Sequence, residues 1–594
     1  MLKLESNNGK HSDRGEVEMA RFDSWRKDWS LMGLFFTAQE TERIHSRLTG
    51  MAFEQIVFAS FENRFARSGG LAAVTVNTLP WLQQVNGFKK SALISPFYPG
   101  IMAAAPLQNT GKKTSVIFGQ RQIEVEIWSC TVPYNEPAPG EVTEYFLRAE
   151  GFFTADNPLK DPYLYHPEDM GANDQAIRTN SLFYCKAVPA ALAALGFSAG
   201  TVIHAQEWQT ALLSLTVKEA MIDDRLHSCA VIHTLHNPFD SYFSVDELKQ
   251  TAGAARQSRI DHMLSGGATA WQIGLQLADG PITTVSENFA HEFTRDPIHT
   301  DHFAPHLQSI FQRGGVYGIN NGPFLPFSTD FPKRQKHTLK EFAARKKAKR
   351  AELLQVLAEY TPPQRFGRLT WQGGSITALP DTIPILVMSG RLDPGQKGYD
   401  LLLQAIERFS IDEIKVILTP LATRNTDLDY FYQVAAKYDG NVTVFPIRMQ
   451  QGYQALQSGS TYGLMPSIYE PFGAAIEYMV NGTVVIARNT GGLADQITNG
   501  VNGFLFRELS DHYTIDRIRA FAEAAAIVQW RKTNPWVLDM VDALEATLRQ
   551  AAVLFAEHPE GYYEMVRQGF AAAANFSWQK NASSYGEAYA QVRK

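Results

Sequence analysis

The sequence has few cysteines, no excess of basic residues and no long apolar segment, and each shortage excludes a class of protein. Three cysteines in 594 residues cannot form a disulfide framework, so we expect a reducing compartment. Acidic residues outnumber basic ones by 61 to 55, and the net charge of −6 argues against a nucleic-acid partner. The uncharged stretch 187–203 contains a proline and two glycines, and it is shorter than the roughly 20 residues of a membrane span.

The N-terminal 15 residues are polar and charged, unlike a signal peptide. We therefore expect a soluble, cytoplasmic protein without an integral membrane segment. The stretch 187–203 is interpreted as the end of a helix, a turn and a buried strand.

The composition predicts a large hydrophobic core, since 45% of the residues are hydrophobic and 20% are charged. The length fits two large domains as well as roughly four smaller ones. Short apolar segments alternate with helical patterns, which predicts an α/β fold with doubly wound, mostly parallel sheets. The predicted strands are 56–59, 91–94, 201–204, 230–234, 283–286, 385–388, 414–418, 442–446, 462–465 and 484–487, with hairpins between 114 and 153.

Two segments outside this pattern are distinctive. Near the N-terminus, Phe22, Trp25, Trp29, Met32 and Phe36 recur at steps of three and four, which predicts one apolar face of a helix. Such a helix docks on its own domain or binds a partner or a membrane surface. Residues 333–350 contain nine Lys or Arg, and they form either an anion-binding patch or a solvated helix face.

Residues suited to ligand binding follow the predicted strands of the first half. Ligands of doubly wound sheets bind at the carboxyl ends of the strands. Arg67, Gly69 and Gly70 follow the first strand, where a cation and glycine N–H groups suit a phosphate, although a structural Gly-Gly turn fits equally. His236 and Asn237 follow the strand 230–234 and are suited to sugar hydroxyls.

Nothing local separates His236 from His204 and His233, and each of the three also fits a purely structural role. Asn321 and Gly322 indicate a tight turn.

The second half repeats the arrangement. Arg391 and Lys397 flank the loop after strand 385–388, where two cations suit a diphosphate or are simply exposed. Glu470 follows strand 462–465 and is either a site carboxylate or a helix-capping charge. Residues 490–493, Thr-Gly-Gly-Leu, present backbone N–H groups at a predicted helix start.

The order of these segments resembles that of the glycogen and starch synthases, retaining glucosyltransferases of the GT-B fold, from about Glu54 to the end of the chain. Residues 67–71 resemble the family's Lys-x-Gly-Gly-Leu loop, with Arg for Lys. Asp174 and Arg178 match its Asp-Asn-x-x-Arg segment. Residues 204–208 resemble its His-x-His-Asp-Trp segment, with Gln and Glu for the second His and the Asp.

Further matches cover the rest of the chain. His236-Asn237 matches the family's His-Asn pair, which favours His236 over the other two histidines, and Asn321-Gly322 matches its Asn-Gly turn. Residues 391–398 resemble its Arg-Leu…Gln-Lys-Gly loop, and residues 466–473 and 490–493 match its Pro-Ser-x-x-Glu-Pro-x-Gly and Thr-Gly-Gly-Leu segments. Residues 576–578 resemble the start of its last helix.

The resemblance implies two Rossmann-like, doubly wound domains that face a cleft. The predicted boundaries are 1–52 for an extension with the amphipathic helix, 53–330 for the acceptor domain, 331–575 for the nucleotide-sugar domain and 576–594 for a helix returning to the first domain. The implied reaction moves glucose from ADP-glucose or UDP-glucose to a saccharide, foremost an α-glucan, without a cofactor or metal. A disaccharide- or glucoside-forming transferase, an epimerase and a non-catalytic regulatory homologue remain alternatives.

The resemblance also assigns roles to residues. The implied catalytic residues are Glu470, His236, Arg391 and Lys397. Asp174 is expected on the acceptor side. The implied donor-binding residues are Arg67, Gly69, Gly70, Asn237, Asn321, Phe472, Gly473, Thr490, Gly491, Gly492 and Leu493.

Several departures from the family pattern leave the donor base and the acceptor open. The loop 391–397 carries one residue more than usual, and Phe472 stands where bacterial glycogen synthases have Cys. Either Glu477 or Tyr478 holds the family's second position on the helix after Glu470. Arg448 and Tyr453 are the candidates for stacking on the base. The sequence does not determine the oligomeric state.

Overall fold

The computed structural model describes residues 22, 25–67, 69–154, 175–328, 338–359, 365–366, 369–370, 380, 382–393, 395–410, 412–422, 425–445, 452–510, 513–525 and 531–592. Spatial contacts divide the chain into two units. The first contains Met1–Thr283, Ser309–Tyr317 and Gln579–Lys594, and the second contains Thr284–Gln308 and Gly318–Trp578.

A nine-stranded sheet with the order β11-β10-β7-β6-β1-β2-β5-β4-β3 is central to the first unit. Strands β1, β2, β5, β6 and β7 pair in parallel, whereas β3, β4 and β5 form the antiparallel hairpins expected between 114 and 153. The strands are β1 (Gln55–Ala59), β2 (Lys90–Pro96), β3 (Gln108–Phe118), β4 (Arg121–Tyr134), β5 (Gly140–Arg148), β6 (Thr201–Gln206), β7 (Cys229–Leu235), β8 (Tyr242–Phe243), β9 (Ala268–Thr269), β10 (Ile282–Thr284) and β11 (Val316–Gly318).

Helices follow the strands as the alternation predicts. They are α1 (Ala38–Leu48), α2 (Leu71–Val85), α3 (Ile101–Ala104), α4 (Gln175–Leu195), α5 (Leu213–Ile222), α6 (Val245–Thr251), α7 (Ala254–Met263), α8 (Ala270–Leu277), α9 (Glu287–Arg295) and α10 (Gln308–Gly314). Strands β6 and β7 are buried along their whole length, as expected for the central strands of a parallel sheet. The interpretation of 187–203 as helix end, turn and strand is confirmed by α4 and β6.

The second unit is built on a parallel six-stranded sheet with the order β16-β15-β14-β17-β18-β19. The strands that the sequence predicted from 385 to 487 are confirmed in the described residues. They are β14 (Ile385–Arg391), β15 (Lys415–Leu421), β16 (Val442–Val444), β17 (Tyr462–Met465), β18 (Val484–Arg488) and β19 (Gly503–Phe506), with the small pair β12 (Arg365–Phe366) and β13 (Leu369–Thr370) before them.

Helices pack on this sheet and bury its apolar side chains. They are α11 (Leu339–Glu359), α12 (Tyr399–Ile406), α13 (Asp429–Lys437), α14 (Tyr453–Gly459), α15 (Ala475–Met479), α16 (Gly491–Gln496), α17 (Thr514–Ala525), α18 (Pro535–Glu557) and α19 (Pro559–Ala573). None of the described helices combines the length and the hydropathy needed to cross a membrane.

The last helix, α20 (Trp578–Gln591), belongs to the first unit from Gln579 onward and is held there by a buried polar network. Tyr589 and Thr234 bracket the buried imidazole of His204, with the Tyr589 hydroxyl 2.8 Å from Nδ1 and the Thr234 Oγ1 2.6 Å from Nε2. Asn581 Oδ1 accepts a hydrogen bond from the Thr78 hydroxyl. His204 is therefore a structural histidine that anchors this helix.

The predicted helix from Phe22 to Phe36 is wrong, although three of its five apolar side chains, those of Phe22, Met32 and Phe36, are buried. Among the described residues of that stretch, which lack 23 and 24, only Trp29–Leu34 is helical, as a 3₁₀ turn that Asp28 caps, and a separate helix begins at Ala38. The reason is local: Thr37 and Glu40 form a capping box, which starts a new helix rather than continuing the turn.

The extension docks on the first unit. Phe22 is buried and its ring centroid lies 4.9 Å from that of Tyr317. The Lys27 ammonium pairs with the buried carboxylate of Asp279, which Lys218 also contacts. These contacts support the docked interpretation of the apolar pattern.

The segment 284–308 belongs to the second unit, whereas the sequence-based boundary at 330 placed it in the first. Three contacts hold it there. Ser286 donates to the Pro471 carbonyl oxygen, the Asn288 amide N–H donates to Asp495 and the Glu292 carboxylate accepts from Gly491. Such contacts between distant residues leave no periodic signal in the sequence.

Candidate functional site

Lys397 and Glu470 form an ion pair at the carboxyl ends of β14 and β17. The Lys397 Nζ lies 2.6 Å from Glu470 Oε2, and the Ser467 hydroxyl donates to the same oxygen over 2.8 Å. Their side chains are 20% and 7% exposed. The two residues are 73 positions apart in sequence, and parallel pairing brings their loops to one sheet edge.

Hydrogen bonds to backbone groups fix the loop that carries Lys397. Asp393 accepts hydrogen bonds from the N–H groups of Gly395 and Gln396 through its carboxylate. The Gln396 carbonyl then accepts from the Ile468 N–H over 2.7 Å. Gly398 has φ +65°, and a Cβ there would lie 2.0 Å from the Pro466 carbonyl oxygen, so only glycine permits this close approach.

Arg391 ends β14 beside this loop. Its guanidinium is partly buried, and Nη2 lies 3.4 Å from Gln396 Oε1. Arg391 and Lys397 therefore flank one short loop, as the sequence predicted, and their role toward a diphosphate stays a prediction.

The Thr490–Leu493 segment begins α16, but its amide groups are already hydrogen-bonded. The Gly491 N–H donates to Glu292 Oε1 over 2.7 Å, and the Gly492 N–H donates to the Glu470 carbonyl oxygen over 2.9 Å. The Thr490 hydroxyl also donates to Glu292 Oε1, over 3.1 Å. Burial raises the pKa of the Glu292 carboxyl to about 7. An anionic ligand on Gly491 would have to replace this carboxylate.

The side chains of two residues that are predicted to bind the donor are buried, and their role toward the donor stays a prediction. Phe472 is 5% exposed and Leu493 is fully buried, and both belong to the apolar cluster under the sheet. The segment contributes backbone geometry: Gly473 has φ +85°, and a Cβ on Gly491 would lie 1.8 Å from the Glu470 carbonyl oxygen. These glycines let the two loops touch.

The sequence left open the roles of four further residues, and the structure describes three of them, Glu477, Tyr478 and Tyr453. Glu477 accepts the N–H groups of Phe324 and Leu325 over 2.7 and 2.8 Å, and burial raises the pKa of its carboxyl to about 7. Tyr478 is buried. Tyr453 is partly buried on the same cluster, and Arg448 lies outside the described residues.

In the first unit, His236 is held by the last residue of β6, Gln206, and by the next residue, Glu207. His236 Nε2 lies 2.7 Å from Gln206 Oε1, and its backbone N–H donates to Glu207 Oε1 over 2.9 Å. Asn237 donates its side-chain amide to the same Glu207 oxygen over 3.4 Å. Gln206 and Glu207 thus position the predicted pair. They stand where the family has His and Asp, and that departure was the sequence signal for them.

Burial sets the charges in this cluster. It lowers the pKa of the His236 imidazole to about 3, so this ring is neutral near pH 7. Burial raises the pKa of the Glu207 carboxyl to about 8, although hydrogen bonds from Asn237 and His236 act in the opposite direction. Glu207 also has φ +67°, an uncommon backbone conformation for a glutamate.

We expect Glu207 to make the first unit less stable as pH rises. Its native pKa of about 8 exceeds the ordinary 4.5, so the native state keeps a proton that the unfolded state releases. Its stabilising contribution is complete below pH 4.5 and disappears as pH approaches 8. Relative to Glu207→Gln, the wild type should lose roughly 2–5 kcal/mol between those limits. Thermal unfolding of both proteins at several pH values measures this.

Glu150→Gln, which changes an exposed carboxylate of the same unit, is the control. A constant stability difference between wild type and Glu207→Gln at all pH values would contradict the prediction.

The remaining predicted residues are located as follows. Arg67 is exposed, and the Gly69 N–H donates to Glu62 Oε2 over 3.0 Å. Gly70 precedes the first residue of α2. Asn321 is buried in the second unit, next to Gly322, on which a Cβ would lie 2.6 Å from the Trp578 nitrogen.

Asp174 lies outside the described residues, and its neighbour in the motif, Arg178, forms an ion pair with Glu247 at 2.6 Å. Within the described ranges, no group of three or more His, Cys, Asp or Glu side chains is arranged to hold a metal ion.

Comparison with known proteins agrees with this architecture. The family model "Starch synthase catalytic domain" matches residues 55–313, and the model "Glycosyl transferases group 1" matches residues 375–526. Glycogen synthase 2 of Geobacter metallireducens is 28% identical over 484 residues, which cover 79% of this chain and 91% of that protein. Glycogen synthase of Pseudothermotoga lettingae is 25% identical over 76% of this chain and 88% of its own length.

The solved catalytic domain of starch synthase IV from Arabidopsis thaliana, bound to ADP and acarbose, has the same fold. It superposes with a TM-score of 0.58 at 20% identity and covers 87% of this chain and 100% of its own. The two family models together cover eight of the nine strands of the first sheet and all six strands of the second. The chain therefore belongs to the glycogen and starch synthase-like glycosyltransferases of the GT-B fold.

Proposed function

We propose that the chain transfers glucose, with retention of configuration, from a nucleoside diphosphate glucose to the growing end of an α-glucan. The observation that carries the proposal is the ion pair of Lys397 and Glu470 beside Arg391, within a chain that matches both halves of a glucan synthase. The donor base stays open between adenine and uracil.

The second unit supplies the positive charge that this reaction needs. When the bond between glucose and diphosphate breaks, negative charge accumulates on the departing phosphate. Lys397 and Arg391, on one loop, neutralise this charge. Glu470 orients the Lys397 ammonium and accepts hydrogen bonds from the donor sugar, and its charge balances the positive character of the sugar ring in the transition state.

The first unit supplies neutral hydrogen-bonding groups. His236 is uncharged near pH 7 and is held through Gln206 and Glu207, so it contacts the sugar by hydrogen bonding rather than as a nucleophile. Arg67 and the Gly69-Gly70 loop are proposed to contact the donor phosphates. Asp174 is proposed to lie on the acceptor side. No cofactor or metal is required in this scheme.

A disaccharide or a glucoside is the second candidate product, because two residues next to His236 differ from the family's motif. Gln206 and Glu207 replace the family's His and Asp, and Glu207 is the group that fixes both His236 and Asn237. A changed hydrogen-bond pattern at this position fits a transferase that forms a disaccharide or a glucoside.

The test is a donor and acceptor screen of the full-length protein. It is mixed with ADP-glucose or UDP-glucose and with glycogen, maltooligosaccharides or small glucosides, with and without EDTA. We expect one donor to be used at least about tenfold better, a glucan product extended through an α-linkage by NMR, and activity unaffected by EDTA.

A product from small acceptors alone would identify the disaccharide or glucoside alternative, and a product that stays nucleotide-linked would identify an epimerase. Release of nucleoside diphosphate no faster than in buffer, for every donor, would overturn the proposal in favour of a regulatory homologue.

A further inference from the structure

Two exposed aromatic side chains lie on the segment that follows His236 and Asn237. Among the aromatic side chains that the structure describes, only those of Phe239 and Tyr242 are exposed, by 39% and 50%. Single exposed apolar residues are normal on a protein surface, whereas two exposed rings three residues apart, directly after predicted site residues, are typical of a ligand-binding surface.

Hydrogen bonds fix the backbone that carries these rings. Asp240 Oδ1 accepts the N–H groups of Ser241 and Trp271 over 2.8 and 3.1 Å. The buried Trp271 indole donates its ring N–H to the Phe239 carbonyl oxygen over 3.1 Å, and the Ser241 carbonyl oxygen accepts the Ala270 N–H over 2.8 Å. The segment therefore presents its aromatic side chains from a fixed backbone, as a specific binding surface requires.

The hairpin of β8 and β9 positions the Tyr242 ring. Tyr242 pairs with Thr269 across the two antiparallel strands. Gly267 has φ +84°, and a Cβ there would lie 2.5 Å from the Tyr242 hydroxyl oxygen. Only glycine therefore lets the phenol end of the ring lie against the hairpin, while half of the residue's surface stays open to solvent.

The same hairpin contacts the motif that the resemblance places on the acceptor side. The Arg178 guanidinium, which belongs to that motif, lies over the Phe243 ring at 5.6 Å from its centroid. Arg178 also pairs with Glu247, four residues further along the chain. Tyr242 therefore follows the residues expected at the reacting sugar and directly precedes a residue that contacts the acceptor-side motif.

The reach along the chain suits an oligosaccharide. Tyr242 is six residues from His236, so the two residues are at most about 22 Å apart. An acceptor of several sugar rings is long enough to extend from one to the other, whereas a single ring or a disaccharide is not. The C–H faces of glucose rings are apolar and pack on flat aromatic rings, while their hydroxyls stay in water.

We propose that Tyr242, with Phe239 beside it, binds an inner glucose unit of the acceptor glucan, several units from the end that receives the new glucose. The inference rests on the proposed function and deepens it, because it names side chains that select a long acceptor. Tyr242 takes no part in breaking or forming the glycosidic bond. It sets the affinity for the acceptor and leaves the chemical step to the residues already described.

Initial rates of glucosyl transfer by the full-length protein test the proposal, with maltose and maltoheptaose as separate acceptors. Tyr242→Leu removes the flat ring and keeps an apolar side chain on the hairpin. We expect it to raise KM for maltoheptaose about threefold to tenfold, which is the usual effect of one aromatic stacking contact. The KM for maltose, the KM for the donor and kcat at saturating acceptor should not change. Tyr242→Phe keeps the ring and should behave as wild type.

Ile117→Ala is the control, because it shortens a 66% exposed apolar side chain on β3 of the same unit. It should leave every parameter unchanged. An unchanged KM for maltoheptaose in Tyr242→Leu would overturn the proposal. An equal rise of KM for maltose would overturn the assignment to an inner glucose unit, and a loss of kcat would show a structural role instead.

Calorimetric titration with maltoheptaose in the absence of donor separates this inference from the proposed function. Threefold to tenfold weaker binding by Tyr242→Leu than by wild type would support the inference even if no donor were used. Normal transfer with unchanged affinity would overturn the inference alone, as would wild-type protein that does not bind maltoheptaose. Thermal unfolding checks that each variant is folded. Phe239→Ala should weaken binding in the same direction and keeps the test decisive if Tyr242→Leu does not fold.

Discussion

Glu470→Gln is expected to lower kcat for glucosyl transfer by about 10²–10³-fold, with little change in thermal stability. Glutamine has the size of glutamate and still accepts the Ser467 hydroxyl, but it removes the charge that holds the Lys397 ammonium. The loss should therefore appear in kcat, since the charge is required most where the glycosidic bond to the diphosphate breaks. Steady-state kinetics with the better donor measures it.

Glu557→Gln, at the exposed end of α18, is the control for charge removal and should behave as wild type. Near-normal turnover of Glu470→Gln would remove Glu470 from the catalytic machinery. A large loss of stability would instead show that the carboxylate acts mainly on the fold.

Lys397→Ala is expected to lower kcat/KM for the donor by about 10²-fold, and Lys397→Arg should recover part of it. The substitution removes a cation next to the predicted diphosphate position. It also leaves the Glu470 side chain, which is 7% exposed, without its ion-pair partner. The double variant Lys397→Ala/Glu470→Gln should be far less impaired than the product of the single effects, because the two residues act as one unit.

Lys437→Ala, which removes a lysine that is 57% exposed, is the matched control. Multiplicative effects in the double variant would contradict a shared role for the pair. Unchanged kcat/KM in Lys397→Ala would reject its role toward the diphosphate.

The two predictions rest on a contact that the sequence located only in part. Strand periodicity and the rule that ligands bind at the carboxyl ends of parallel strands placed Arg391, Lys397 and Glu470 at one sheet edge. The structure adds the 2.6 Å contact and the Ser467 hydrogen bond, which depend on the backbone path of two loops.

The sequence did not show which environment a local pattern belongs to. Phe472 and Leu493 lie in motifs that suit a ligand, and the structure places both side chains in an apolar cluster. The apolar spacing from Phe22 to Phe36 matches helical periodicity, but a capping box divides the segment.

The sequence by itself determined the α/β class, the positions of the strands and the loops that carry the candidate chemistry. Those features depend on periodicity and on glycine, and both act over a few neighbouring residues. Only the tertiary structure shows that Glu292 accepts a hydrogen bond from the N–H of Gly491, which is 199 residues away in sequence. It also shows that Lys346 and Arg350 are buried. Such contacts arise from packing between segments that are distant in sequence, so they cannot be predicted from the spacing of neighbouring residues.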